Sequence, residues 1–462
     1  MSTLRPHQRK SRLKAALLGS LVAVLMLPGG PARAAGAGTP DQRALRPGVP
    51  GTALAWGNNF EGQLGDGTTV EQSNSPTPVC GAAPCIDPLH GVIAVSGGDE
   101  YSVALRSDGT VLTWGDNTHG QLGDGTTTNS TTPRRVCAVG QTAPCSAFLD
   151  DIVAVSAGFA HTTALRANGT VVAWGLNDHG QLGNPITTDS SVPVPVCVTN
   201  DCGFLLNDVV SIAAGANHTL ALHTNGEVDT WGDDRHSQLG RPTSTGRVFR
   251  VCASDPFDFC RPLQNVASVA AGGDHSVVVH RGGSVLAWGE NDLGQLGDGT
   301  TTEQLVPVPV CDTGATAPCG SFLSGITAVA AGDKHTVAVA AGGSVRAWGG
   351  IGRLGDGTGN GSTTPVAVCA EGSTAPCAGF LAGITAIAAG GSHTVALAAD
   401  GTVLTWGDNS LGELGNGTGD YIGGKSPVHV CAVGQTAPCD RQLTCAVAVG
   451  AGYSHTLAVV RP

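Results

Sequence analysis

Apolar and polar positions along this chain alternate in short stretches. One period reads "DIVAVSAG" (Asp151 to Gly158), "HTTALR" (His161 to Arg166), "TVVAWG" (Thr170 to Gly175) and "VPVPVC" (Val192 to Cys197). A period of two over so few residues is the signature of a strand with one buried face. Between the second and third stretches stands Asn168-Gly169. Asp108-Gly109, Asn225-Gly226 and Asp400-Gly401 occupy the same place in other periods, and such pairs turn tightly because both residues tolerate positive φ. A longer polar loop, "LNDHGQLGNPITTDSS" (Leu176 to Ser191), separates the third stretch from the fourth, whose prolines suit a sheet edge. Each period thus predicts four short antiparallel strands.

The period repeats seven times. Trp56, Trp114, Trp174, Trp231, Trp288, Trp348 and Trp406 are each followed by glycine, at spacings of 58, 60, 57, 57, 60 and 58. Four-stranded units repeated radially are the blades of a β-propeller. The predicted fold is all-β, a seven-bladed propeller, with alanine and glycine on the first strand of each blade where seven strands crowd one axis. The last period stops after "AVAVGAG" (Ala446 to Gly452) and "HTLAVV" (His455 to Val460). Its complement stands at the other end as "TALAWG" (Thr52 to Gly57) and "PTPVC" (Pro76 to Cys80). Closing the ring two strands plus two leaves no open blade, whereas a linear solenoid leaves two half-repeats unpaired. The propeller is expected over 51–462, preceded by a linker, 35–50.

Residues 1–34 predict an export signal: a basic start (Arg5, Arg9, Lys10, Arg12, Lys14), the apolar run "AALLGSLVAVLML" (Ala15 to Leu27) and "ARA" (Ala32 to Ala34) for cleavage. Thirteen apolar residues are short for a membrane span, so the protein is expected to be secreted, with no insertion in a membrane. The whole chain carries 24 basic and 36 acidic residues, a net charge of −12. Six basic and no acidic side chains precede residue 35, leaving 18 against 36, a net −18. That balance argues against nucleic acid as a partner. Cysteines fit an oxidising destination. Cys80/Cys85, Cys137/Cys145, Cys197/Cys202, Cys252/Cys260, Cys311/Cys319, Cys369/Cys377 and Cys431/Cys439 form seven close pairs, one per period, and Cys445 is left over. They read as local disulfides, each contributing roughly 2–3 kcal/mol on the chain-entropy account. A tetrahedral metal site needs four ligands, and each loop offers two.

The stretch "AGFAHTTALRANGTVVAWGLNDHGQLG" (Ala157 to Gly183) resembles the repeat of the regulator of chromosome condensation family of seven-bladed propellers, and its pattern recurs over about residues 51–462. The resemblance implies the fold; it leaves the activity open, because this propeller hosts different ones.

Candidate chemistry is sparse. The G-x-x-H position holds His161, His218, His275, His335, His393 and His455, with Tyr101 in the remaining blade. Symmetry spreads these side chains round the ring, so a hydrogen bond repeated in each blade is expected rather than a metal centre. The "GDGTT" stretches at Asp66, Asp124 and Asp298 lack calcium-loop spacing and read as turns. The tryptophans read as packing between blades, and so do Phe148, Phe204, Phe322 and Phe380, each of which precedes a leucine just after the second cysteine. No nucleophile, base and acid stand together in any period. The expectation is a non-enzyme without catalytic residues, cofactor or metal.

Variation between periods marks where a repeat protein is free to acquire function. Two windows vary, the pair before the histidine and the loop after Trp-Gly, and strand alternation puts both on one face, with the cysteine loops and hairpin turns on the opposite face. The candidate partner-binding residues there are Phe60, Glu61, Asp99, Glu100, Tyr101, His119, Phe159, His179, Asn217, Arg235, His236, Asp274, Lys334 and Tyr453. Aromatic anchors ringed by polar residues are what a protein-docking surface uses. The preferred reading is a secreted, monomeric binding propeller that docks an extracellular protein, an enzyme that it inhibits being one form. It is similar in principle to the secreted propeller inhibitors of β-lactamase, although those have shorter periods and no cysteine loops. The alternative is a wall- or carbohydrate-binding module. Guanine-nucleotide exchange, the activity of the family's namesake, sits poorly with export and disulfides.

Overall fold

A computed structural model describes residues 49–461 apart from 187, 200, 242–247 and 254–259, so the expected leader and nearly all of the linker lie outside the described residues. Among the described residues there are 28 strands and no helix. Blades 1 to 6 occupy 90–135, 152–195, 209–250, 266–309, 326–367 and 384–429, and blade 7 joins 446–460 to 51–78. Five blades are separate four-stranded antiparallel sheets. Closure is two plus two, as expected: Gly51–Asn58 pairs with His455–Val460 from Thr52↔Val460 to Gly57↔His455, and with Gln72–Pro78 on its other side. Gly51 and Thr52 also touch Val92 and His90, which joins blades 7 and 1 into one eight-stranded sheet.

The core lies between blades. Val103, Leu105 and Val111 of blade 1 pack against Val155, Ala164 and Trp174 of blade 2, and all seven tryptophans are buried. Two polar contacts tie the blades together in that apolar layer. The indole Nε1–H of Trp114, Trp174, Trp231, Trp288 and Trp348 donates to the carbonyls of Gln63, Gln121, Gln181, Gln238 and Gln295 in the preceding blade, at 2.8–2.9 Å. Trp56 donates to the Glu413 carbonyl at 2.9 Å. The expected histidine bond is the second contact, and it runs as a belt from blade to blade. The Nε2 atoms of His161, His218, His275, His335, His393 and His455 lie 2.8–3.1 Å from Thr219, Ser276, Thr336, Thr394, Thr456 and Ser102 of the next blade. Ser276, Thr336, Thr456 and Ser102 donate their own protons to the carbonyls of Gln238, Gln295, Glu413 and Gln63. Their oxygens therefore accept from the imidazoles, which are neutral and protonated on Nε2. Burial holds these rings far below the usual histidine range, His218 and His393 at about 4 and His161, His275 and His455 at about 3.

The glycine of G-x-x-H follows from the same contact. A Cβ on Gly158, Gly215 or Gly332 would stand 2.2–2.3 Å from Cε1 of the blade's own histidine, so only a bare Cα leaves room for the ring.

One junction departs from the pattern. Gly297 follows Trp288 by nine residues, whereas Gly355 follows Trp348 by seven. The shortened loop of blade 5 loses the asparagine whose Oδ1 accepts the leucine N–H elsewhere, as in Asn291 to Leu296 at 3.0 Å. Without that brace Trp406 Nε1 is buried with no acceptor.

All seven cysteine pairs are bridged, with Cα separations of 4.8–5.7 Å, and Cys445 is free and exposed. The two halves of each clip differ. The first cysteine, Cys80, Cys137, Cys197, Cys252, Cys311, Cys369 or Cys431, is buried where the chain leaves the outer strand. The second is not: Cys85 and Cys260 are exposed, and Cys145, Cys202, Cys319, Cys377 and Cys439 are half-buried. Each bridge therefore anchors an outer loop to the blade, and none of the fourteen cysteines lines the central channel.

The cysteine loops lead back beside the hairpin turns, as expected: just past them, Ile152, Val209, Val266, Ile326, Ile384 and Ala446 donate N–H to the carbonyls of Gly109, Gly169, Gly226, Gly283, Gly343 and Gly401. The loops also touch a segment that strand alternation does not report. Sγ of Cys145, Cys319, Cys377 and Cys439 comes within 3.8, 3.8, 3.3 and 3.4 Å of the Asp124, Asp298, Asp356 and Asn416 carbonyls. Those carbonyls belong to the loop after Trp-Gly, which leads to the outer strand. Gly314 and Gly372 N–H bond to Pro365 and Pro427 of the next outer strand. The shorter loop of Cys202 keeps to itself, its N–H donating to the Thr199 carbonyl at 3.0 Å. One expectation needs correction, because the phenylalanines are not packed in the core. Phe204, Phe322 and Phe380 are exposed, and Phe148 carries Arg135 over its ring at 4.2 Å. Cys311↔Phe322 and Cys369↔Phe380 form isolated bridges, so alternation sends Leu323 and Leu381 inward and the phenylalanines outward.

Candidate docking face

Seven inner strands leave a central channel of about 350 Å³, lined by small residues such as Ala213, Ala270, Ala330 and Gly450. A ring of backbone hydrogen bonds closes round its mouth. The N–H groups of Asp99, Phe159, Ala216, Gly273, Asp333, Gly391 and Tyr453 donate to the carbonyls of Phe159, Ala216, Gly272, Gly332, Gly390, Tyr453 and Gly98, at 2.9–3.3 Å. Each bond joins one blade to the next, so the backbone of the first variable window is fixed and only its side chains differ. The loop after Trp-Gly lies on the same face: Gln181 Nε2 reaches Asn217 at 3.4 Å and Gln238 Nε2 reaches Asp274 at 2.9 Å. The Asp of "GDGTT" is consumed by its own turn, Asp124 accepting from Thr126 N–H and Oγ1–H at 3.0 and 2.7 Å.

The predicted residues divide into two sectors and one exception. In the sector of blades 7, 1 and 2, Phe159 and Tyr453 flank Asp99 in the backbone ring, exposed at 43% and 45%. Phe60, 48% exposed, stands on the blade 7 loop, whose Asn58 N–H bonds to the Ser454 carbonyl at 2.9 Å. Carboxylates surround these rings. Burial, then Glu100 and Asp116, push Asp99 up to about 7, and burial, then Glu61 and Asp116, raise Glu100. None of Glu61, Asp99, Glu100 and Asp116 has a cationic partner among the described residues. His119 faces Asp189 at 2.8 Å, and His179 lies 3.7 Å from Asp178.

The sector of blades 3 to 5 is ion-paired instead. Arg235 holds Asp233 at 2.7 Å, and Lys334 binds Glu290 and lies 3.6 Å from Asp292. Burial pulls the Lys334 ammonium down, but the hydrogen bond and charge of Glu290 outweigh it and hold it above its usual value. His236, Asp274 and Glu290 come together beside Lys334.

Tyr101 is the exception and a correction. It is fully buried, because it opens the second strand at the histidine position and points between blades. Its hydroxyl donates to the His161 carbonyl at 2.5 Å and accepts from Thr162 at 3.0 Å. Sequence reasoning missed Asp116, Asp233 and Glu290, all at the position after Trp-Gly; aligning that position against the next blade's windows is the signal that finds them.

Fold and face define a seven-bladed propeller with a rigid backbone ring and one variable surface. The chain belongs to the RCC1-like domain family, which it matches over residues 52–458. It is 32% identical over 375 residues to the ultraviolet-B receptor UVR8 of Arabidopsis thaliana, covering 80% of this chain and 75% of that one. It is 31% identical over 431 residues to the human E3 ubiquitin-protein ligase HERC2, covering 91% of this chain but 8% of that protein. A secretion-regulating guanine nucleotide exchange factor of Bos taurus is 30% identical over 328 residues, 67% of this chain and 65% of that one. Among solved structures, yeast Prp20p, described together with its binding to Gsp1p and histones, superposes with a TM-score of 0.66 at 22% identity, covering 89% of this chain and 92% of that one. Human WBSCR16 does so with a TM-score of 0.68 at 22% identity, covering 89% and 99%.

Proposed function

We propose that this protein is an exported, non-catalytic binding propeller that docks a protein partner through the channel-mouth face, centred on blades 7, 1 and 2. The observation that carries the reading is the exposed pair Phe159 and Tyr453 on a backbone ring that has no need of aromatics, since glycine or alanine serves at Ala216, Gly273 and Gly391, with Phe60 exposed on the adjoining blade 7 loop. Rigid aromatics with polar neighbours are what binding hot spots are made of. The unpaired carboxylates beside them fit a cationic partner surface, so association should weaken with salt. Seven disulfides and the leader sequence support an extracellular setting, and weigh against an exchange-factor role like that in the bovine relative's name.

The test is a pull-down of secreted and envelope proteins with the wild type and with a variant carrying Phe60, Phe159 and Tyr453 changed to Ala. A protein captured by the first and lost by the second supports the face; equal capture by both overturns it. A second reading, a wall- or carbohydrate-binding module, is favoured by the exposed Phe204, Phe322 and Phe380 on the rim. Capture of polysaccharide alone, lost when these three are changed to Ala, would select it.

A further inference from the structure

The repeat sets one loop residue of a blade, the one before Gly62, Gly120, Gly180, Ser237 or Gly294, against two residues of the next blade, the one before the belt position (Tyr101 or histidine) and the one after Trp-Gly. At the junctions entering blades 1 to 5 these triplets are Glu61/Glu100/Asp116, His119/Ala160/Leu176, His179/Asn217/Asp233, His236/Asp274/Glu290 and Leu293/Lys334/Gly350. Only the junction of blades 3 and 4 combines an imidazole with two carboxylates, and there one donor atom from each residue lies within 4.8 Å of the other two.

We propose that His236, Asp274 and Glu290 form a site for a divalent transition-metal ion, bound by one imidazole nitrogen and two carboxylate oxygens. The carboxylates are held from behind. Gln238 Nε2 donates to Asp274 Oδ1 at 2.9 Å, and Gln295 Nε2 donates to Glu290 Oε2 at 3.2 Å. Lys334 binds the same Glu290 Oε2. Among the described residues, Asp274 Oδ2 and Glu290 Oε1 accept no hydrogen bond. Carboxylates oriented by amides and left with one bare oxygen are arranged as metal ligands are. An ion held by the three donors would sit about 2.0–2.2 Å from each. A mixed imidazole and carboxylate set suits Zn²⁺, Co²⁺ or Ni²⁺ better than Ca²⁺ or Mg²⁺, which take oxygen ligands. Lys334 cancels one of the two carboxylate charges, so it lowers affinity without filling the site, while Asp292 keeps the surroundings negative. Three protein ligands leave a coordination position open.

The experiment is calorimetric titration of the untagged, chelator-treated protein with Zn²⁺ at neutral pH, with Co²⁺ absorption as a second readout. One ion per chain is expected, with a Co²⁺ band free of the sulfur charge-transfer that binding at Cys445 would give. His236→Ala and the near-isosteric Asp274→Asn should each weaken binding by about tenfold or more, and Lys334→Met should tighten it, with melting curves showing that all three fold. No Zn²⁺ uptake by the wild type, a thiolate band with Co²⁺, or unchanged affinity in folded His236→Ala would each overturn the site.

Discussion

Gly158 and His161 differ from the two residues between them, Phe159 and Ala160, in what the fold lets them be. The glycine is pinned by the ring stacked on its Cα and the histidine by its bond to the next blade. Phe159 contributes only its backbone to the mouth ring, and its side chain is exposed. A belt that repeats and a rim that varies thus share one turn. At this turn, identity between periods goes with a side chain that has no spare volume, and the varying Phe159 is the one that faces solvent.

The largest expected effect comes from breaking the belt with acid. The buried histidines have folded values well below the unfolded 6.5. A depressed histidine contributes stability that is full above the unfolded value and is lost as pH falls toward the folded one. Each adds a slope of about 1.4 kcal/mol per pH unit in that window, opposed in sense by raised carboxylates such as Asp99, Asp234 and Glu413. Denaturant midpoints should fall steeply from neutral pH toward about pH 4, and His218→Gln should shed one proton from the uptake on unfolding. A flat profile would mean that the belt imidazoles are already protonated.

The next effect compares two junctions within the belt. Trp231→Phe removes a buried indole bond and strands the Gln181 carbonyl, whereas Trp406 makes no such bond. Denaturation should show Trp231→Phe less stable than Trp406→Phe by about 1–2 kcal/mol; equal losses would assign the cost to ring volume alone. At the rim the expectation reverses. Phe60→Ala, Phe159→Ala and Tyr453→Ala should each stay within about 0.5 kcal/mol of the wild type while abolishing capture of the partner. A large loss of stability in any of them would move that residue from the rim to the scaffold.

The fold was legible because alternation, the Trp-Gly spacing and the split last period all report backbone geometry. The histidine bond was legible for the same reason, since a symmetric position implies a symmetric role. The cysteine pairing was legible from spacing and the side of the loops from strand alternation, but one of their contacts was not. Cys319 and Cys439 fold back toward the loop after Trp-Gly, a contact between segments that strand alternation does not report. Tyr101 was misplaced because an aromatic in a variable region looks like an anchor, and only burial shows that it does the histidine's work. Phe322 and Phe380 were misplaced in the opposite direction, because recurrence implies a fixed backbone place but does not say which way the side chain leaves the chain. The cluster of His236, Asp274 and Glu290 was hidden because its members come from two periods and meet only across a junction.

The last comparison tests one exception inside the belt. Glu413 stands where five other blades have Gln63, Gln121, Gln181, Gln238 and Gln295, and its Oε2 accepts the Leu411 N–H at 2.9 Å just as Gln121 Oε1 accepts that of His119. A glutamine also donates: Gln121 Nε2 reaches Asp116 at 2.6 Å. Glu413 instead presents a second carboxylate near Asp408, and burial, opposed by backbone hydrogen bonds and helped by Asp408, pushes it up to about 7. A carboxyl raised in the folded state contributes stability that is full below its unfolded value of 4.5 and is lost as pH rises through about 7. Glu413→Gln should therefore match the wild type near about pH 4 and exceed it near about pH 8, by at most about 3 kcal/mol. Denaturant curves at both pH values decide it: superimposable pH profiles would show that the Glu413 carboxyl is relieved by solvent, and that the belt tolerates a charge where the other blades carry an amide.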